Sequence, residues 1–408
     1  MKILIVSAYA PPHRGGIEFV VWEQARRFVR KGHEVTWISS RFADEAPVED
    51  HEGYTLLRAK ALNPFESRGV PYPIFTRELK RTICNQVDRS QIVHVHGMLY
   101  QATSLAIREA CNRGRPVVLT SHVIDQARPP GGDGIGSVKK MMNRGIKLVE
   151  WSAHRFVGHR NVRNSDAIVV LNSAVRDYIR RVLGSDSNIH WIPNGVDTSL
   201  FSPVSEEGKM SIRNRLGLPI GKNIATFVGR LVPRKGPQLV VQAVRPDMGI
   251  HVVVVGNGSI PCPEHVPAPH ITIWPAQPRE KIPDILRASD VLVLPSIGEG
   301  FPLIAQEAMA CGIPVILSDD PSYKDYVDSS CAKLVSPTVE GVREGLSEIL
   351  ESKQKLERAG QSARKLVEKK FAWDSNVQKH LDLYASLVDR SQHSLIRKET
   401  QCYVQGIN

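Results

Sequence analysis

The chain has 408 residues, 42% of them hydrophobic and 23% charged, which exceeds one hydrophobic core and suits two domains of about 150–200 residues each. The formal net charge is +11. No apolar run approaches the roughly 20 residues of a membrane-spanning helix, so such a helix is excluded.

The charge is uneven. Residues 1–190 carry 28 Lys and Arg against 18 Asp and Glu, and the remainder carry 25 against 24. A basic N-terminal half suits a phosphorylated substrate or an anionic membrane surface. Its basic residues are spread out with little aromatic interleaving, so no nucleic-acid partner is expected. The run Ile3-Leu4-Ile5-Val6 is shorter than the roughly 7–15 residues of a signal-peptide core. Cys84, Cys111, Cys262, Cys311, Cys331 and Cys402 show neither pairing nor metal-like spacing, as expected in a reducing cytosol.

Residues 2–7 read as a buried strand and residues 17–31 as a helix that Gly32 stops. Further strands are expected at 34–40, 92–96, 116–122 and 167–171. The pattern restarts after 191–197. Strands are expected there at 224–228, 251–255, 291–295 and 314–318, with a helix at 237–244. Short apolar runs alternating with helices predict two α/β units in tandem, each a mainly parallel sheet covered on both faces. Residues 375–388 predict a long amphipathic helix, followed by a polar, loosely held tail beyond Ser391. Residues 41–73 and 128–137 read as loops.

In open parallel sheets, ligands bind beyond the carboxyl ends of the strands. After the first strand come Gly15 and Gly16, just before a helix, where backbone approaches a phosphate or sugar. This is not the Gly-x-Gly-x-x-Gly fingerprint, and the second strand ends in Ser39-Ser40-Arg41 with no acidic residue for an NAD ribose; both count against a dehydrogenase. His122 closes the strand at 116–122. Residues 229–236, with Arg230, Arg234 and Lys235 in a glycine turn, suit a diphosphate, and Arg230 and Lys235 flank the turn best.

The richest stretch is 295–312: strand end, loop, helix, glycine stop. Pro302 suits the first helical turn. The N–H groups of Leu303 and Ile304 are then available for a β-phosphate. Glu299 precedes them, and Glu307 lies about 7–8 Å along the helix axis. One carboxylate can take a sugar hydroxyl and the other a ribose diol.

At this point the sequence resembles glycosyltransferase family 4, the retaining group with two Rossmann-like domains known as GT-B. The Glu-x7-Glu signature appears as Glu299 to Glu307 within EGFPLIAQEAMACGIPV, the Gly-Arg…Lys-Gly element as VGRLVPRKG, and the linker as WIPNGVD. Phe371-Ala372-Trp373 and Leu383-Tyr384 resemble the family's closing pattern. The resemblance implies a GT-B fold: an acceptor-binding domain at 1–192, completed by a crossover helix at about 377–408, and a nucleotide-sugar domain at 193–376, with the active site in the cleft between them. It implies that Arg230 and Lys235 bind the donor diphosphate and that Gly300, Phe301, Leu303 and Ile304 belong to the donor site. Glu299 and His122 would contact the transferred sugar, Glu307 the ribose, and Gly15 and Gly16 the donor–acceptor junction. The chain departs from the family in Val123, where Asp is frequent, and in Trp274-Pro275-Ala276, near the expected base site.

The chain has no Asp-x-Asp motif, so neither a metal nor another cofactor is expected; Arg230, Lys235 and the helix N-terminus would stabilise the leaving diphosphate. The resemblance implies retention by same-face attack, the departing phosphate accepting the acceptor's proton. The acceptor would be a glycan, a lipid-linked sugar or a small molecule. The alternatives are a sugar-nucleotide epimerase on the same fold and a non-catalytic nucleotide-sugar binding protein. Residues 138–149 can form a basic amphipathic helix, which would hold a cytoplasmic enzyme at an anionic membrane face.

Overall fold

Ile3-Leu4-Ile5-Val6, Val117-Val118-Leu119 and Val252-Val253-Val254-Val255 are buried along their whole length, the condition of interior strands in a parallel sheet covered on both faces. The computed structural model describes residues 1–13, 15–42, 45–64, 72–122, 154–260, 268–297 and 300–405. The chain divides into two units, Met1–Ile192 with Val377–Asn408, and Pro193–Asn376.

The first unit holds β1 (Lys2–Val6), β2 (Glu34–Arg41), β3 (Val48–His51), β4 (Tyr54–Leu62), β5 (Ile74–Phe75), β6 (Ile92–His96), β7 (Val117–Ser121), β8 (Ala167–Val170) and β9 (Ile189–Trp191). Among the described residues they form one sheet in the order β3-β4-β2-β1-β6-β7-β8-β9, with β5 on β4. Pairing is parallel except where β3 and β5 meet β4. The helix Gly16–Arg30 follows β1 and buries Val20, Val21, Ala25 and Phe28. Gly32 stops it with φ +83°, as the sequence predicts.

The predicted loop at 41–73 is corrected. It contains β3 and β4, joined through Glu52 and Gly53 with φ 45° and 89°, a two-residue hairpin turn. Along β4, Tyr54 and Leu56 are buried on one face of the sheet and Ala59 and Ala61 on the other. Arg58, on the face of Tyr54 and Leu56, is buried too, paired with Glu49 and donating to the Pro11 carbonyl at 2.5 Å. That buried cation is what makes the strand read as a polar loop.

The second unit holds β10 (Asn223–Val228), β11 (Ile250–Val255), β12 (Ile271–Trp274), β13 (Val291–Leu294), β14 (Val315–Ser318) and β15 (Ala332–Val335). All are parallel, in the order β12-β11-β10-β13-β14-β15. Counted within the unit this is 3-2-1-4-5-6, the doubly wound nucleotide-binding order. The order reverses between β10 and β13, the point beyond whose carboxyl ends ligands bind in such sheets.

The last helix, Trp373–Gln405, runs well past Ser391, so the backbone of the expected tail is helical. Val377, Leu381, Tyr384, Leu387 and Val388 pack with Ile3, Ile5, Phe28 and Trp37 in the core of the first unit. Residues 128–137 and 138–149 lie outside the described residues.

Candidate active site

The reversal point of the second unit is built from two loops. The first follows β10. The Gly229 N–H donates to the Val255 carbonyl at 2.9 Å and the Leu231 N–H to that of Asn257 at 2.8 Å. The β10 and β11 loops therefore lie back to back. A Cβ on Gly256 would stand 1.8 Å from the Gly229 carbonyl oxygen, so only glycine permits this approach. The loop continues through Arg230, which is exposed, to the turn Pro233–Lys235.

The second loop follows β13 and packs on the first. The Ile297 N–H donates to the Arg234 carbonyl at 3.0 Å, and Ser296 Oγ to the Lys235 carbonyl at 3.4 Å. These bonds fix the backbone on either side of Lys235. The expected residues Arg230, Lys235, Gly300, Leu303 and Ile304 thus belong to one pair of adjoining loops and the helix after them. Glu299 lies outside the described residues.

The helix Leu303–Ala310 begins at Pro302. Its backbone bonding starts with Ala305 and Gln306, both donating to the Pro302 carbonyl at 3.1 and 3.3 Å. The N–H groups of Leu303 and Ile304 precede those bonds and point out of the helix start. The Phe301 side chain is turned inward, stacked on Tyr326 at 5.0 Å and against Phe371 at 5.3 Å. Phe301 therefore anchors the loop and presents only backbone to a ligand.

Glu307 is 4% exposed. Arg279, in the turn Arg279–Lys281 after β12, donates from Nη2 to its Oε1 at 2.7 Å. The same guanidinium lies 5.1 Å from the ring centroid of Phe201. Sequence reasoning missed Arg279, because it lies 28 residues from Glu307 in a stretch with no motif. Its one signal is its position just beyond the end of a parallel strand.

In the first unit, the turn after β1 carries Gly15 and Gly16. Glu18 folds back over this turn, and a Cβ on Gly15 would stand 2.0 Å from its carboxylate. Glu18 is buried and lies 3.3 Å from His13 Nδ1. A Cβ on Gly16 would meet nothing within 4 Å among the described residues. His122 follows β7 and is buried. Its Nε2 lies 2.8 Å from His96 Nδ1, with the rings stacked at 5.1 Å. Burial, with a smaller contribution from His380, pushes its pKa down to about 4. His122 is therefore neutral at pH 7, able to donate through one ring nitrogen and accept through the other.

Residues 209–366 match the family model described as Glycosyl transferases group 1, and residues 14–200 that of Glycosyltransferase Family 4. The chain is 28% identical over 256 residues to a D-inositol 3-phosphate glycosyltransferase of Segniliparus rotundus, across 58% of this chain and 53%, about half, of that relative. It is 27% identical over 410 residues to one from Xylanimonas cellulosilytica, across 92% of this chain and 93% of the relative. A crystal structure of Anabaena HepE in complex with UDP is similar with a TM-score of 0.71 at 17% identity, over 95% of this chain and 100% of that one. Two doubly wound units, the loops at the reversal of the second sheet and two family models spanning most of the sequence agree: the chain belongs to glycosyltransferase family 4 and has the GT-B fold.

Proposed function

We propose that the chain moves a sugar from a nucleoside-diphosphate sugar to a hydroxyl acceptor with retention of configuration and without a metal ion. The observation that carries this reading is the contact of Ser296 and Ile297 with the backbone of Arg234 and Lys235, which joins the two loops at the reversal point of the second sheet. Arg230, Lys235 and the N–H groups of Leu303 and Ile304 supply cation and hydrogen-bond donors there to a diphosphate. Glu307, held by Arg279, takes the ribose hydroxyls, and Glu299 a hydroxyl of the transferred sugar. In the first unit His122 contacts the sugar near the reacting carbon, and Gly15 and Gly16 line the junction with the acceptor. The acceptor oxygen attacks the anomeric carbon from the face that the diphosphate leaves. The bond from that carbon to the phosphate oxygen breaks, and the departing phosphate takes the acceptor's proton. The named relatives favour a cyclitol phosphate among possible acceptors, and the basic excess of the N-terminal half suits its charge.

A thermal-shift screen of uridine, guanosine, adenosine and thymidine diphosphate sugars tests the reading. One class should stabilise the protein, by RT ln(1 + [L]/Kd), and release free nucleotide when an acceptor is added. Release that needs no acceptor, with the sugar epimerised, favours the epimerase alternative. Stabilisation without turnover for any acceptor favours a binding protein.

A second reading concerns location, which we place at the cytoplasmic face of an anionic membrane, where lipid-linked glycans and polysaccharide precursors are assembled. Among the described residues no helix is long and apolar enough to cross a membrane. Phe156 is 70% exposed beside Val157, and Arg155, Arg160 and Arg163 around them are exposed too. Each such basic residue contributes about 1 kcal/mol near an anionic bilayer. Co-sedimentation with phosphatidylglycerol vesicles should occur at low salt and weaken as salt rises. No binding at low salt removes this reading.

A further inference from the structure

Four histidines and a tyrosine meet inside the first unit. His94 and His96 are two residues apart on β6 and so share one face of the sheet. His122 follows β7, and His380 and Tyr384 come from the last helix. The ring centroids of His94 and His96 are 4.2 Å apart, and those of His94 and His380 5.4 Å. His94 is saturated: Nε2 lies 2.7 Å from Thr120 Oγ1 and Nδ1 2.6 Å from the Tyr384 hydroxyl. His96 is not. Its Nδ1 meets His122 Nε2 at 2.8 Å, while its buried Nε2 has no hydrogen-bond partner among the described residues.

Burial holds His94, His96 and His122 well below the ordinary histidine range, so each neutral ring carries one proton. The short contact between His96 and His122 needs one proton between its two nitrogens, and two arrangements supply it. In the first, His96 Nδ1–H donates to His122 Nε2. The uncontacted His96 Nε2 is then a lone pair, and the proton of His122 sits on Nδ1. In the second, His122 Nε2–H donates to His96 Nδ1. His96 must then carry its own proton on Nε2, a buried N–H with no acceptor among the described residues. An orphaned buried N–H is the rarer situation in folded proteins, so the first arrangement is preferred.

We propose that His96 is a positioning residue that fixes His122 as the Nδ1–H tautomer, so that His122 offers a hydrogen-bond donor, not an acceptor, to an oxygen of the transferred sugar. The part about the sugar rests on the placement of His122 given under Proposed function; the tautomer does not. His96 touches no substrate in this scheme. It acts through the ring of His122 alone, as an outer-shell partner orients a ligating imidazole.

Long-range 15N–1H spectra of the full chain, labelled with ring-15N histidine, read the tautomer directly. His122 should show the Nδ1–H pattern in the wild type and in His96→Asn, whose side-chain amide places an N–H where Nδ1 stood. It should turn into a tautomer mixture in His96→Leu. An Nε2–H pattern for His122 in the wild type overturns the inference, and so does one unchanged pattern in all three proteins. If His96→Leu does not fold, the wild-type spectrum still decides. Hydrolysis of the nucleoside-diphosphate sugar that most stabilises the protein in the thermal-shift screen tests the underlying placement separately. His122→Ala and His96→Leu should each lower its kcat about 10–100-fold with KM little changed, and His96→Asn should stay within about threefold of the wild type. An unchanged rate in His122→Ala removes His122 from the sugar and leaves the tautomer result standing. A slowed His122→Ala beside a normal His96→Leu overturns the positioning role alone.

Discussion

Arg279 donates from Nη2 to Glu307 Oε1 at 2.7 Å, and the carboxylate it holds is almost wholly buried. A buried carboxylate without a partner is costly, so the pair both stabilises the unit and sets the direction in which Glu307 faces. Arg279→Ala should lower unfolding free energy by about 1.5–3 kcal/mol, the range for hydrogen bonds to charged groups, measured by urea titration. Glu307→Ala should weaken nucleoside-diphosphate binding more than it slows turnover. Equal affinity in wild type and Glu307→Ala, measured by calorimetry, counts against the ribose role.

Arg230 and Lys235 come from the loop after β10, whose backbone the β13 loop fixes. If they stabilise the leaving diphosphate, Arg230→Ala and Lys235→Ala should each cost about 2–4 kcal/mol of transition-state stabilisation. The check is kcat/KM for the donor. Turnover near that of the wild type in both variants removes the diphosphate assignment.

Gly256 is the contact on which the β10 loop rests. Gly256→Ala would drive a methyl group into the Gly229 carbonyl, 1.8 Å from the Cβ position, and so displace Arg230 and Lys235. Donor affinity should fall at least about tenfold, with a loss of stability of about 1–3 kcal/mol typical of overpacking. Wild-type donor affinity in this variant, by calorimetry, contradicts the close packing of the two loops.

The buried histidines make the fold sensitive to acid. The pKa of His122 falls from 6.5 to about 4, and those of His94 and His96 are also lowered by burial. The unfolded chain takes up these protons at a higher pH than the folded one. The stability they contribute is therefore present above about pH 6.5 and is lost as pH falls toward 4. His122 alone accounts for about 2 kcal/mol between pH 7 and pH 5. Urea midpoints across that range should fall with pH; a flat profile is the contrary result.

If Arg230 and Lys235 take the place of a metal ion, as proposed from the missing Asp-x-Asp motif, the reaction needs no divalent cation. Turnover should survive excess EDTA. Loss on chelation, with rescue by manganese or magnesium, overturns it.

The fully buried parallel strands were legible because burial on both faces leaves near-continuous apolar runs; β6 is predicted and observed at the same residues, 92–96, whereas β9, β12 and β15, only partly buried, were not predicted. β4 was hidden by Arg58 and Lys60, since the partners that neutralise a buried arginine are set by tertiary structure. The loop from Gly229 to Gly236 and the helix beyond Pro302 could be located from glycine, proline and charge spacing alone. Arg279 and His96 could not, because each matters through one contact with a distant residue. Phe301 shows a third case: a motif residue whose side chain serves the core while its backbone borders the site.

The last helix completes a core that the first strand, Lys2–Val6, begins. Tyr384 packs on Phe28 at 5.6 Å and reaches His94 at 2.6 Å, so the first unit lacks part of its core until residues 377–388 have been made. The second unit is continuous in sequence and needs nothing that comes later. On the ribosome the usual order is therefore inverted: the N-terminal sheet waits while the whole second unit is translated, roughly 10–40 s at 5–20 residues per second. Throughout that interval Ile3, Ile5 and Phe28 lack the apolar face of the helix that covers them, and that surface is buried only once residues 377–388 arrive.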